Sequence, residues 1–278
     1  MDIILTGIAR SGTTLTCFLL NKLPQAVALH EPMDPSQLVG LSQPDEYLAR
    51  IAEFFAVQRA TLLAAGTAVS KACGGRVPEN PFAAVAGDQG LRASMVTNEE
   101  VQFGKPLLPG FRLAVKHPNL FTATLATLQP RYPCFAVVRN PLAVLLSWQT
   151  IQAPVRDGHL PFGEAFDHQL KAALAEEPDR VRRQLMLLRW YFSRYRSHLP
   201  ADHVIRYEEI VASGGRALAV IDPDAAALAE PLESRNRSAL YDAGLVTRLS
   251  EQLLAEEDIF AGFYAAESIA ALRDAWLA

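Results

Sequence analysis

The segment Gly7-Ile-Ala-Arg-Ser-Gly-Thr-Thr14 combines residue types and a spacing that can do chemistry. Two glycines frame four residues and a hydroxyl residue closes the run. The segment joins an apolar strand signal at Ile3–Thr6 to an apolar helix signal at Thr13–Lys22. A glycine loop in that setting is a phosphate cradle, because backbone N–H groups and the start of the helix hold anionic oxygens without a bound cation. The same residues could serve only as a tight turn with a helix cap. The strand-loop-helix context favours anion binding. Thr13 stands where a loop handling ATP or GTP carries lysine, and the nearby cation is Arg10. No strand signal ends in an aspartate that would help to hold magnesium, since the strand Cys134–Val138 is followed by Arg139. Phosphate-cradling amides with flanking arginines are poorly equipped for γ-phosphate transfer. They suit a nucleotide whose transferable group has less charge and whose extra phosphate is bound by side chains.

The elements that must position these groups alternate between short apolar runs and longer amphipathic stretches, the pattern of a parallel sheet covered by helices. After the loop helix comes a strand at Ala26–Leu29, the polar turn His30–Pro35, and a helix over Asp45–Leu63 with Leu48, Ile51, Phe55 and Leu62 on one face. Residues 66–110, rich in Gly and Pro, read as a long excursion with a little helix and not as a separate domain. Strands resume at Arg112–Lys116 and Cys134–Arg139, each followed by a helix, the second opened by Asn140-Pro141. Across Arg180–Leu199, Val181, Leu185, Leu188, Phe192, Tyr195 and Leu199 form a core-facing stripe. Arg180, Arg182, Arg183, Arg189, Arg194 and Arg196 crowd the other faces, and such a run is ordinarily a solvated helix face. A last strand at His203–Arg206 precedes helices interrupted by a charged stretch at 222–242. The expectation is one α/β domain over residues 1–278, with a mostly parallel sheet of about five strands flanked by helices.

The 278 residues are half hydrophobic and one-fifth charged, which excludes wholesale disorder. A net charge of −4 argues against a general nucleic-acid binder while leaving room for a local anion site. No apolar run approaches a membrane span, and the N-terminus does not read as a signal peptide. The three cysteines, Cys17, Cys73 and Cys134, make neither a disulfide framework nor a zinc set. A reducing, cytoplasmic setting without a metal site is the expectation.

Arg10-Ser-Gly-Thr-Thr-Leu15 after the first strand, with Val138-Arg-Asn-Pro-Leu-Ala-Val-Leu-Leu-Ser147 farther on, resembles the sulfotransferases that use 3'-phosphoadenosine 5'-phosphosulfate (PAPS). The bacterial and carbohydrate-directed branches are the nearer ones. The resemblance spans roughly residues 3–210 in order and leaves 66–110 unmatched. It implies that Arg10, Ser11, Gly12, Thr13, Thr14 and Leu15 hold the 5'-phosphosulfate and that Arg139 and Ser147 hold the 3'-phosphate. On a helix, Ser147 lies about two turns beyond Arg139, so both can share one anion. Arg206-Tyr-Glu-Glu209 resembles a later Tyr-Glu-Asp motif, which places Tyr207 near the adenine. Ser234-Arg-Asn-Arg-Ser238 stands where many members carry a basic loop over the 3'-phosphate, without their common Arg-Lys-Gly form. Arg235 and Arg237 are therefore candidates there, against an ordinary polar loop.

The implied reaction is in-line transfer of a sulfuryl group to a hydroxyl, less readily an amine, with 3',5'-bisphosphoadenosine (PAP) as product. Arg10 would stabilise the leaving oxygen by charge and hydrogen bonding, since arginine does not readily give up a proton. Two bases compete. Glu31, in His30-Glu-Pro32, resembles a Glu-Pro element, whereas His117, in Lys116-His-Pro118, resembles a Lys-x-His element displaced by one residue. That displacement turns the histidine toward the other face of a strand, so Glu31 is favoured, with Lys116 as a second cation near the transferred group. The acceptor, a small molecule, glycan or natural product, would be walled by residues 66–110 and 152–162. Phe54, Phe55, Phe82, Phe103 and Phe111 would suit an aromatic or lipid-like acceptor, and ordinary core packing explains them equally well. The alternatives are a nucleotide-dependent kinase and a non-catalytic nucleotide-binding domain.

Overall fold

The structure, a computed structural model, describes residues 1–41, 43–87 and 90–278. Strands β1 (Asp2–Gly7), β2 (Ala26–His30), β3 (Thr67–Ala72), β4 (Thr97–Gln102), β5 (Arg112–Lys116), β6 (Cys134–Val138) and β7 (Val204–Arg206) alternate with helices. In chain order these are α1 (Thr13–Leu20), α2 (Pro44–Ala65), α3 (Pro118–Ala123), α4 (Leu125–Leu128), α5 (Pro141–Gln149) and α6 (Pro161–Phe166). There follow α7 (His168–Glu176), α8 (Arg180–His198), α9 (Tyr207–Ala212), α10 (Ala243–Leu254) and α11 (Ala266–Leu277).

Five strands form one sheet in the order β2-β5-β1-β6-β7, and every pairing in it is parallel. The strands are apolar on both faces, and their period of two sorts the core into two layers. Ile4, Val27, Leu29, Val115, Ala136 and Val138 join the layer under α2, α5 and α8, while Ile3, Leu5, Ala28, Phe135, Val137 and Ile205 join the layer under α1 and α9. Each fully buried aliphatic side chain contributes roughly 1.5–3 kcal/mol. Because all five strands run the same way, their C-terminal ends share one edge, where the loops after β1, β2, β5, β6 and β7 meet. Open α/β sheets bind ligands at that edge, beside the strand where successive connections change direction. Here that strand is β1, whose neighbours are β5 and β6.

The excursion departs from expectation. Among the described residues it contains no helix. It begins and ends in an antiparallel ribbon, β3 with β4, and Asp88 and Gln89 within it lie outside the described residues. Only small or isolated side chains of this ribbon are buried, Ala68, Ser70 and Ala72 on β3 and Val101 on β4, so no strong apolar alternation announces it. The α8 stripe is also broader than its four-and-three spacing, with Leu187, Trp190 and Tyr191 buried as well. Three of its arginines are spent structurally: Arg189 pairs with Glu256 and Asp258, Arg194 with Asp167, and Arg183 donates to the Asp157 carbonyl.

Candidate active site

A cavity of about 630 Å³ opens at the C-terminal edge of the sheet, within the range of roughly 300–1,000 Å³ usual for small-molecule sites. Its floor is the loop between β1 and α1. Gly12 adopts φ 95°, and a Cβ there would sit 2.6 Å from Tyr207 Cδ2, so both backbone and space require glycine. Gly7 is equally confined, with only 2.4 Å from a built Cβ to the Val137 carbonyl oxygen. Trp148 Nε1–H holds the loop from above by donating to the Ala9 carbonyl at 2.9 Å.

The first helical amides are available to a ligand. Among the described residues, the N–H groups of Gly12, Thr13, Thr14 and Leu15 meet no backbone carbonyl, whereas Thr16 N–H already closes on the Gly12 carbonyl at 2.9 Å. All four residues line the cavity. Ser11 does not. Its N–H donates to the Ile8 carbonyl and its hydroxyl to the Val137 carbonyl at 2.6 Å, so both donors of Ser11 shape the loop.

Two arginines converge beside these amides. Arg10, itself at φ 73°, donates from Nε to Ser147 Oγ at 3.3 Å and lies over the Phe82 ring at 4.7 Å. Arg139 is buried and follows β6. It donates to the Arg10 carbonyl at 3.1 Å, to Asn236 Oδ1 at 2.7 Å and to the Arg235 carbonyl, with its guanidinium 4.7 Å from the Tyr207 ring centre. Burial first, then Arg92 and Arg139, push the Arg10 guanidinium down to about 9, where it remains a cation at neutral pH. Among the described residues, no carboxylate forms an ion pair with Arg10, Arg92 or Arg139. Tyr207 OH accepts the Arg235 N–H at 2.9 Å and thereby fastens the 234–238 loop over the site. Arg235 and Arg237 are exposed and line the rim, with Arg237 also donating to the Ala275 carbonyl.

Across the cavity stands Glu31, the residue after β2, with φ 45°. Its carboxylate is gripped at both oxygens: Lys116 Nζ is 2.8 Å from Oε1 and Lys71 Nζ is 2.6 Å from Oε2, with His30 Nε2 at 3.5 Å. Burial opposes ionisation of Glu31, but Lys116, His30 and Lys71 together outweigh it and hold the carboxyl well below the usual range. His30 is driven down to about 4, first by burial and then by Lys116, and is neutral.

His117 is not brought to this cavity. Strand alternation sends Lys116 to it and His117 to a separate cavity of about 310 Å³. There His117 Nε2 accepts the Met33 N–H at 3.1 Å, and burial pushes the imidazole down to about 3. Of the aromatic side chains proposed as acceptor walls, Phe82 lines the main cavity, whereas Phe55 and Phe111 are core and Phe54 and Phe103 pack against it. Apolar packing decided those four. Ala153, Pro154, Val155, His159 and Pro161 also line the cavity, which places the 152–162 segment in its wall.

Sequence reasoning missed Lys71, Asn80 and Arg92, all within the excursion. Asn80 Oδ1 accepts from Arg10 at 3.1 Å, and Arg92 donates to Thr150 Oγ1 at 2.8 Å. Lys71 lies on β3, which packs beside β2 through Ser70, whose Oγ accepts the His30 N–H at 2.9 Å. The available signal was a set of isolated polar residues in a segment without periodicity, and their partners lie far away in sequence.

Among the described residues, no helix is long and apolar enough to cross a membrane. No family model matches the chain, and no curated protein matches it. Eight chains among solved structures match. One is the crystal structure of sulfotransferase STF9 from Mycobacterium avium, 13% identical, with a TM-score of 0.36, covering 99% of this chain and 76% of that one.

Proposed function

We propose that the chain transfers the sulfuryl group of PAPS to a hydroxyl, less readily an amine, of a small or medium-sized acceptor. The observation that carries this reading is the half-buried Arg10 and the buried Arg139, joined by the Arg139 bond to the Arg10 carbonyl and, among the described residues, without an ion-paired carboxylate, in the cavity that Ser147 and residues 12–15 also line. Adjacent cations withdrawn from water without counter-charges are costly, so this arrangement calls for an anion. The helix-start amides offer a second anion position nearby. A nucleotide with phosphates at both ends satisfies both. Gly12, Thr13, Thr14, Leu15 and Arg10 would hold the 5'-phosphosulfate, Arg139 and Ser147 the 3'-phosphate, with Arg235 and Arg237 at the rim and Tyr207 beside them.

PAPS supplies an activated sulfuryl group with a nucleotide phosphate as its leaving group. Arg10 and the loop amides stabilise the charge that grows on that leaving oxygen. Glu31 takes the acceptor proton at a carboxylate oxygen. With both oxygens held by ammonium groups it is a weak base. An anion placed beside Lys116 draws on that ammonium's charge and raises the proton affinity of Glu31, so donor binding readies the base. Phe82, Val155 and Leu240, which line the same cavity, exclude water.

The test is incubation of the purified chain with PAPS and panels of phenolic, aliphatic and sugar hydroxyl compounds, following PAP release and a sulfated product by mass. Acceptor-dependent release is the expected result. Turnover of ATP with magnesium and none of PAPS would replace this reading with the kinase.

A further inference from the structure

The excursion does more than wall the acceptor. Its tip folds back on itself, with Phe82 bridged to Ser94 and the Ala83 N–H donating to the Ala93 carbonyl at 3.0 Å. It is then stitched to the end of α5. Arg92 N–H donates to the Thr150 carbonyl at 2.9 Å, and Gln152 N–H donates to the Arg92 carbonyl at 3.1 Å. This parallel bridge lays the Arg92 side chain over the cavity. One guanidinium nitrogen donates to Thr150 Oγ1, and that hydroxyl in turn donates to the Ser147 carbonyl at 3.0 Å. Nε of Arg92 is buried and has no hydrogen-bond partner among the described residues.

An arginine in this position is otherwise unfavourable. It stands close enough to Arg10 and Arg139 for their charges to repel it, and no carboxylate among the described residues offsets them. An orphaned donor beside two like charges is explained when a nucleotide anionic at both ends lies among the three arginines. Ser147 locates that anion. It touches Arg10, lies one turn from the Thr150 that anchors Arg92, and belongs with Arg139 to the 3'-phosphate position of the functional reading, on which this inference rests.

We propose that Arg92 joins Arg139 as a further arginine of the 3'-phosphate site, supplied by the excursion, and that it sets the preference for a 3',5'-bisphosphorylated nucleotide over a 5'-monophosphate. The same segment carries Asn80, Phe82 and Met95 into the cavity wall, so a nucleotide held by Arg92 also fixes part of the surface the acceptor meets.

The experiment measures the affinities of PAP and adenosine 5'-monophosphate by calorimetry for the wild-type chain, Arg92→Gln and Arg92→Lys. Arg92→Gln is expected to weaken PAP about 10- to 100-fold and to leave the monophosphate nearly unchanged. Arg92→Lys, which keeps the charge and loses the fork, should recover part of that loss. Equal weakening of both nucleotides, or of neither, would overturn the proposal by reducing Arg92 to a structural strap or a bystander, while leaving the sulfotransferase reading intact. A wild-type chain that does not bind PAP would overturn both. Should Arg92→Gln not fold, hydrogen exchange on the wild-type chain decides. PAP but not the monophosphate should slow exchange at the Arg92 and Gln152 amides, and equal protection by the two would overturn the proposal.

Discussion

Glu31 and Lys116 are joined twice across the ends of two adjacent parallel strands. The Glu31 N–H donates to the Lys116 carbonyl at 2.8 Å, and the Lys116 ammonium lies 2.8 Å from Glu31 Oε1. The backbone bond extends the β2–β5 ladder by one residue past His30, which pairs with Lys116 in register. It fixes Glu31 in its left-handed conformation and aims the carboxylate along the strand edge into the cavity. The sheet thus sets the position of the carboxylate, and Lys116 with His30 and, from the ribbon, Lys71 set its charge state.

Replacing Glu31 by Gln keeps the shape and removes the base. Turnover with any acceptor that the panel identifies should fall by about 10²- to 10⁴-fold, with PAP affinity retained. Steady-state kinetics together with a PAP titration check this. Undiminished turnover would remove Glu31 from proton transfer.

Gly12→Ala should fail for reasons local to the loop. The φ of 95° and the 2.6 Å approach to Tyr207 would together cost at least about 1–3 kcal/mol. Relief by moving Tyr207 would release the Arg235 N–H it accepts. Urea unfolding should therefore show a lower midpoint, and PAP affinity should fall with it. A variant as stable as the parent would contradict the packing described.

Stability should decline as pH falls. Burial holds His30 down to about 4 and His117 to about 3 in the folded chain, while unfolded histidines titrate near ~6.5. Between about pH 6.5 and 4 the unfolded chain binds protons that the folded chain refuses, a loss of up to ~1.4 kcal/mol per pH unit for each histidine. Glu31, depressed when folded, adds a loss in the same direction below about pH 4.5. Urea titrations at stepped pH should show this slope, and His117→Gln should make it shallower. A flat profile between pH 7 and 5 would contradict the burial of both imidazoles.

The parts of this site that were legible in the sequence are those fixed by short-range geometry. The loop from Gly7 to Thr14 declares itself because glycines, strand and helix are contiguous, whereas Arg139, ahead of α5, and Ser147, on it, were candidates only through the resemblance of their spacing to a family motif. Four of the five parallel strands, β1, β2, β5 and β6, declared themselves through apolar runs buried on both faces. The ribbon of β3 and β4 did not, since Ala68, Ser70 and Ala72 fill a narrow space beside β2 with little apolar surface. Lys71, Asn80 and Arg92 owe their roles to contacts with Glu31, Arg10 and Thr150, which depend on where the excursion lands. Ser11 illustrates the opposite limit. It belongs to the loop motif, yet the loop's own hydrogen bonds consume both of its donors.

The most direct test of the central claim is thermal unfolding with PAP, compared with ATP plus magnesium, for the wild-type chain and Arg139→Ala. The two-ended anion site predicts a rise in melting temperature with PAP that Arg139→Ala abolishes, and a smaller rise or none with ATP-magnesium. Stabilisation by ATP-magnesium alone, or a PAP effect that survives the loss of Arg139, would contradict it.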